Sequence, residues 1–140
     1  MNPTASLATF IADLTYEDLP PATVDAAKIA ITDGIATMVA GSAEDLSGII
    51  ADYVRALGGA PEASLVGCGF KTNPPGAAFA NGVSGHCLDF EIQGFPPTHG
   101  TSSCLPAALA LGESLGATGK TLITAYVLGW EIQGRIRAAS

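Results

Sequence analysis

From Gly76 to about Leu88 the chain is built largely of small residues, among them Ala77, Ala78, Ala80, Gly82, Ser84 and Gly85. Such a run reads as a helix with almost no bulk of its own. Small side chains let neighbouring backbones come close, so this helix has to lie deep between others. The composition agrees: 48% of residues are hydrophobic and only 6% aromatic, with Ala, Leu and Ile in the majority. Unbranched and small side chains lose little rotamer freedom in a helix, which favours packed helices over sheets. Seventeen glycines are many for such a chain. Inside a helix each costs up to roughly 1 kcal/mol relative to alanine, so the buried ones need close contact or a bend to justify them.

The neighbours are legible as periodic segments. Leu7, Phe10, Ile11 and Leu14 follow helical spacing after Thr4 or Ser6 as cap, until Pro20-Pro21 breaks the run. Pro21 suits the first turn of a second helix reaching about Ala40, with Val24, Ala27, Ile31, Ile35 and Met38 or Val39 inward and Gly41 as its stop. Within it Asp33 reads as solvated and Gly34 as a close-packing position. Residues 44–58 predict a third helix using Leu46, Ile49, Ile50, Tyr53, Val54 and Leu57. Ala63–Val66 is the one strand-like piece, and 71–75 reads as a turn and helix start. After the small-residue helix, Gly94 to Gly100 is irregular. A helix over 101–116 follows, where Pro106 is tolerable only in the first turn, and a last helix begins at Thr118 or Thr121. The expected fold is an all-α buried bundle with at most one short strand, residues 1–140 forming a single helical domain.

Several function classes fall away. A formal charge of −7 with no basic stripe argues against nucleic acid. No run of about eighteen uncharged apolar residues predicts a membrane span, and the start lacks the basic and apolar regions of a signal peptide. Cys68, Cys87 and Cys104 have no CxxC spacing, so reduced thiols and a cytoplasmic setting are expected. No glycine-rich phosphate loop follows a strand, and no nucleotide or other cofactor is indicated. Only Lys28, Arg55, Lys71, Lys120, Arg135 and Arg137 are cationic, too few to converge on a di- or tricarboxylate unaided.

Both histidines, His86 and His99, fall in one fourteen-residue stretch that also holds Asp89 and Glu91. Titratable groups at a loop between apolar helices suit proton transfer. His99 follows Pro96-Pro97-Thr98 and precedes a hydroxyl-rich helix start. The Pro-Pro turn would aim its ring, and the helix dipole would favour the neutral, base-competent form. A capping or surface histidine is the plain alternative. Asp89, at the end of a buried helix, either orients an imidazole or relays a proton, or else only forms a turn. Glu91 reads as solvated and His86 as a satisfied core histidine. The spacing lacks the compactness of a zinc or iron site, so no metal is expected. Cys104, five residues past His99, could pair with it as a nucleophile, but no local signature supports that.

The run Gly82-Val83-Ser84-Gly85-His86-Cys87-Leu88-Asp89-Phe90-Glu91, followed by Pro96-Pro97-Thr98-His99, resembles the signature of the MmgE/PrpD family. There a helix ends in His-x-x-Asp-Phe-Asp-Asp-Thr and a Thr-His follows. Asp33-Gly34-Ile35-Ala36 with Val39-Ala40-Gly41, Leu105 to Glu113, Gly119-Lys120 and Tyr126 to Glu131 are similar to its flanking helices. The resemblance implies a large helical domain joined to a smaller α+β domain, and cofactor-free dehydratases, decarboxylases and epimerases of di- and tricarboxylic acids. It assigns catalysis to His99 and Asp89. Gln93 and Thr98 would contact substrate, with His86 beside them in a binding or packing role. Two departures stand out. Glu91-Ile92-Gln93 replaces Asp-Asp-Thr, so one carboxylate is lost and Gln93 stands where a substrate-contacting Thr is common. Family members are several times longer, with site lysines and a further histidine lying later, so this chain corresponds to the N-terminal part of the helical domain and is expected to be inactive alone. The expected partners are a small di- or tricarboxylate and a second copy of the chain. A non-catalytic helical remnant, or a dimerisation or binding module, is the alternative reading.

Overall fold

A computed structural model of the chain describes residues 2–94 and 97–140. Among the described residues, six α-helices and one two-residue-per-strand hairpin follow in order: α1 Pro3–Asp13, α2 Pro21–Gly41, α3 Asp45–Leu57, β1 Ala63–Ser64, β2 Lys71–Thr72, α4 Pro74–His86, α5 Gly100–Ser114 and α6 Gly119–Ala139. The all-α expectation holds. A short 3-10 turn at Tyr16–Asp18 lies between α1 and α2. Among the described residues no helix is long and apolar enough to cross a membrane.

The small-residue helix is α4, and it lies against α2, α3 and α5. Glycines are what allow this. A Cβ on Gly41 would run into the Ser84 carbonyl of α4 and come within 2.7 Å of Cys87 Sγ. One on Gly34 would collide with Thr101 of α5 and lie 2.6 Å from Leu105 Cδ2. Gly34 is thus the close-packing position expected of it. Gly41, expected as a stop, is the last residue of α2 and also serves as a contact.

The inward faces differ from the periodic reading in two helices. On α2 the buried row is Val24, Ala27, Ile31, Gly34, Met38 and Gly41, leaving Ile35 and Val39 exposed. On α3 the inward residues are Ser47, Ala51 and Val54, while Leu46, Ile49, Tyr53 and Leu57 face outward. Close approach decides both: a helix that touches α4 through a hydrogen bond has to present small side chains. Ser47 Oγ donates to Gly41 O at 2.7 Å and accepts from Ser84 Oγ at 2.9 Å. A leucine in that place would hold the helices apart.

Caps and boundaries follow local chemistry. Asn2, not Thr4 or Ser6, caps α1, its Oδ1 accepting from the Thr4 and Ala5 N–H groups. Pro21 occupies the first position of α2 and Thr118 caps α6 through the Thr121 N–H. Asn73 caps α4, which starts two residues before Gly76 with Pro74. Pro106 lies in the second turn of α5, not the first. It is fully buried, and its missing N–H leaves the Ser102 carbonyl without the usual helical donor. The expected strand shortens to Ala63–Ser64, and the expected turn at 71–75 opens instead with its antiparallel partner, Ala63 opposite Thr72.

Two apolar clusters fill the bundle. Val54, Ala63, Leu65, Ala77, Ala80 and Ala110 form one; Ala27, Ile31, Met38, Leu105 and Tyr126 form the other, with Trp130 packed against it. The hairpin is tied to α5 by Glu113, which accepts from Ser64 N at 2.7 Å and Ser64 Oγ at 2.8 Å and pairs with Lys71 Nζ at 2.6 Å. The Lys71 ammonium and the Ser64 N–H hold the Glu113 carboxyl down to about 2.

Gly41→Ala should destabilise by about 1–3 kcal/mol, since backbone and not a side-chain tip blocks the new methyl. Gly48→Ala on the open face of α3, where nothing lies within 4 Å, should instead stabilise by up to about 1 kcal/mol in the same denaturant titrations. Because the folded Glu113 carboxyl titrates below its ordinary 4.5, its contribution is complete above that pH and fades as pH falls toward about 2. The stability gap between wild type and Glu113→Gln, followed by thermal unfolding across pH, should close over that interval.

Candidate active site

The linker from α4 to α5 carries the site. α4 ends at His86, and Asp89 takes a left-handed backbone conformation with φ 54°, its N–H donating to His86 O at 2.9 Å. That reversal sends Phe90 outward, 72% exposed, and Glu91 inward, 6% exposed. The Ile92 N–H then donates to Asp33 Oδ2 on α2 at 3.3 Å, so Asp33 anchors the linker and is not simply solvated. Gly94 and Gly100 pack on the Trp130 ring so closely that a Cβ on either would strike it. Of the Pro96-Pro97 turn expected to aim His99, Pro96 lies outside the described residues; Pro97 is exposed.

Glu91 is the correction that matters most. Expected in solvent, its carboxylate is buried at the N-terminus of α5. Oε2 accepts from the Ser102 N–H at 2.6 Å, and Oε1 from Ser102 Oγ at 2.5 Å. An anion there meets unsatisfied N–H groups and the positive end of the helix dipole. Oε1 also lies 2.9 Å from His86 Nδ1 and 3.1 Å from His99 Nδ1. Burial alone would raise the carboxyl's affinity for a proton. The Ser102 hydroxyl and N–H, with the two imidazoles, more than offset this and leave its pKa lowered. An ionised carboxylate can only accept. Both imidazoles therefore donate Nδ1–H, and each neutral ring carries its lone pair on Nε2.

His99 sits at the N-cap position of α5, as the sequence leads one to expect, but its side chain does not cap the helix. It is oriented by Glu91, and so is His86, whose ring centroid lies 4.6 Å from that of His99 in an edge-to-face arrangement. His86 is half-exposed and is not a core histidine. Asp89, proposed from sequence as the partner of His99, is exposed at the turn; the carboxylate bonded to His99 is Glu91. Two imidazoles and a carboxylate within 4.8 Å have the composition of an ion-binding set. The sequence spacing suggests no such compact set; the turn at Asp89, which brings Glu91 between the two histidines, creates it.

Thr98 donates through Oγ1 to Gln133 Oε1 at 2.9 Å, and Gln133 Nε2 reaches Cys104 Sγ at 2.9 Å. Burial pushes the Cys104 thiol pKa up, and the Gln133 bond offsets this only in part, poor conditions for a nucleophile. Gln93 is exposed, and with Thr98 it lines a cleft of about 360 Å³ against Thr23, Ala27, Trp130 and Glu131. The Trp130 Nε1–H is buried without an acceptor among the described residues. On the other side of the linker, His86 and Ser102 open onto a cleft of about 470 Å³ with Phe79, Gly82 and Cys87.

Sequence reading missed Glu91, Ser102 and Gln133. A serine three residues after His99 at a hydroxyl-rich helix start was the available signal for Ser102, because the third N–H of a helix seeks an acceptor. Nothing local pointed to Gln133, which comes from another helix.

Fold and cluster together define a helical domain with a histidine–carboxylate cluster in an interhelical linker. Residues 5–140 match the MmgE/PrpD N-terminal domain, and the chain belongs to that family. Relatives include the cis-aconitate decarboxylase of Mus musculus, 29% identical over 95% of this chain and 28% of that protein. The Homo sapiens cis-aconitate decarboxylase is 30% identical over 95% of this chain and 29% of its own length. That of Aspergillus terreus (strain NIH 2624 / FGSC A1156) is 28% identical over 97% and 29%. The chain spans under a third of the length of these relatives.

Glu91→Gln should cost about 1–3 kcal/mol in denaturant unfolding at neutral pH. The amide keeps one acceptor and turns an N–H₂ toward buried donors, leaving at least one of them unpaired.

Proposed function

We propose that this chain supplies the acid–base part of the active site of a cofactor-independent lyase, or isomerase, acting on a di- or tricarboxylic acid. The observation that carries this reading is the His99–Glu91 pair. A buried carboxylate locked to the start of α5 holds the ring at Nδ1 and leaves Nε2 unengaged by it, on a side chain 41% exposed. An imidazole so held can take a proton from a carbon next to a carboxylate, or return one to it, near neutral pH. Labilising such a C–H or C–C bond is the shared requirement of dehydration, decarboxylation and epimerisation. The kinship with cis-aconitate decarboxylases supports a carboxylic acid as substrate.

His99 is the proton-transfer residue, positioned by Glu91. Asp89, exposed at the turn, relays protons at the rim of the site. Gln93 and Thr98 line one cleft and His86 a separate one, and the family likeness supports a substrate-contacting role for all three. The carboxylates of the substrate need cations, and those of this chain are largely engaged: Lys28, Arg55, Lys71, Lys120 and Arg135 each pair with a carboxylate outside the cluster. Cationic groups other than these complete the site in the working enzyme.

The test is turnover by the natural full-length protein of cis-aconitate and a panel of di- and tricarboxylic acids. His99→Ala should lower kcat by roughly 10²–10⁴ with the fold retained by circular dichroism. A variant turning over at close to the wild-type rate would sink the assignment.

A further inference from the structure

His86 has no role in the reading above beyond lining a cleft, yet it is held as His99 is. Both Nδ1 atoms lie on the same oxygen of Glu91, at 2.9 and 3.1 Å, and the ring planes meet at 72°. Each ring thereby turns its Nε2 away from the carboxylate. The two side chains are 50% and 41% exposed, so both reach solvent or a bound molecule. Glu91 carries one negative charge and balances one imidazolium. A second positive ring 4.6 Å from the first would be uncompensated. One imidazolium on this cluster would balance the Glu91 carboxylate, and the geometry allows either ring to carry it.

We propose that His86 and His99 form a shared-proton pair across Glu91, with His86 the second proton-transfer residue of the reaction; the inference rests on the acid–base reading of His99. In an elimination of water, the neutral ring's Nε2 takes the proton from carbon. The C–H electron pair becomes the new C=C bond, the C–O pair leaves on oxygen, and the imidazolium Nε2–H gives its proton to that oxygen to release water. One ring gains a proton and the other loses one. The pair again holds one, on the opposite ring, and the exposed Nε2 atoms exchange it with solvent before the next turnover. One base and one acid are what such a step needs, and a lone histidine supplies them only in turn.

The other titratable groups on the surrounding elements are engaged elsewhere. Asp33 of α2 holds Ile92 N, Cys87 faces Ser84 O and Gly41 O, Cys104 of α5 meets Gln133, and Tyr126 of α6 bonds Thr101. Asp89 in the linker is exposed. The coupling between the rings thus runs through Glu91.

Two measurements decide the matter. Long-range ¹H–¹⁵N NMR on histidine-labelled protein should give the Nδ1–H tautomer for both neutral rings. The pair should titrate in two steps, and His86→Gln should collapse the His99 curve to one. Nε2–H tautomers, or a His99 curve indifferent to His86→Gln, would overturn the pairing whatever the activity. With the acid that the wild type converts, His86→Gln should lower kcat by about 100-fold, leave KM little changed and remove one limb of the bell-shaped pH profile. A retained two-limbed profile at near-wild-type kcat removes His86 from proton transfer. Coupled titration in a wild type that turns over no acid would instead reject the lyase reading and leave the shared-proton pair standing.

Discussion

The close approach of α4 to its neighbours is the constraint from which the rest follows. Where Gly41 of α2 touches the Ser84 carbonyl there is no room for a methyl group, and Gly34 brings α2 equally near α5 at Thr101 and Leu105. Gly82 of α4 lies in ordinary contact with α5, a Cβ there falling 3.4 Å from Ser102 O. With α4 and α5 this near, the C-terminus of one and the N-terminus of the other face each other across a short linker. Complementary charge gathers at such a junction: a helix N-terminus wants an anion, and Glu91 is the anion within reach. The histidines then follow by position, His86 as the last residue of α4 and His99 as the residue before α5. Packing of the smallest side chains thus decides where the most reactive ones meet.

Ser102 is the joint of this arrangement. Its N–H and hydroxyl hold the carboxylate, while Pro106 one turn on cannot donate to its carbonyl. A proline buried in a second turn would ordinarily weaken a helix. Here the affected turn is clamped from outside by Glu91, and Gly82 lies against the proline ring. The linker has further anchors in Asp33 of α2 and in the Thr98–Gln133 bond to α6. Three helices other than α4 therefore fix the loop that carries His99, the rigid mounting that the proposed proton transfer requires.

Helix existence, order and the special status of the His86–His99 stretch were legible in the sequence because each depends on local periodicity and turn chemistry. Which side of a helix faces inward was not always legible. On α3 the apolar residues Leu46, Ile49, Tyr53 and Leu57 promise an inward stripe, but the contact with α4 selects Ser47 and Ala51, and that preference is tertiary. The family likeness picks out Asp89 and His99. Glu91 stayed hidden for a related reason: a carboxylate two residues past a turn looks solvated unless the turn is left-handed. That conformation at Asp89, rare for a residue other than glycine, is what swings Glu91 inward. The tautomers of both histidines likewise became readable only once a buried acceptor stood between them.

The charge distribution separates two tasks that one active site must combine. Proton transfer calls for groups that gain and lose charge near neutrality, and the cluster gathers both histidines of the chain on one ionised carboxylate. Holding a polycarboxylate calls for fixed positive charge, and the chain is acidic, at −7, with most of its cations tied to surface carboxylates. Placed beside Glu91, a lysine or arginine would compete for Oε1 and release the imidazoles from it. Keeping cations out of the cluster thus preserves the hydrogen bonds that orient both rings. Under the proposed function, a carboxylate substrate would have to be gripped by cations lying away from this cluster, with its reacting carbon turned toward Nε2. An arrangement of that kind sets the anionic groups away from Glu91, where two like charges in a partly buried site would repel, and leaves the neutral carbon nearest the base.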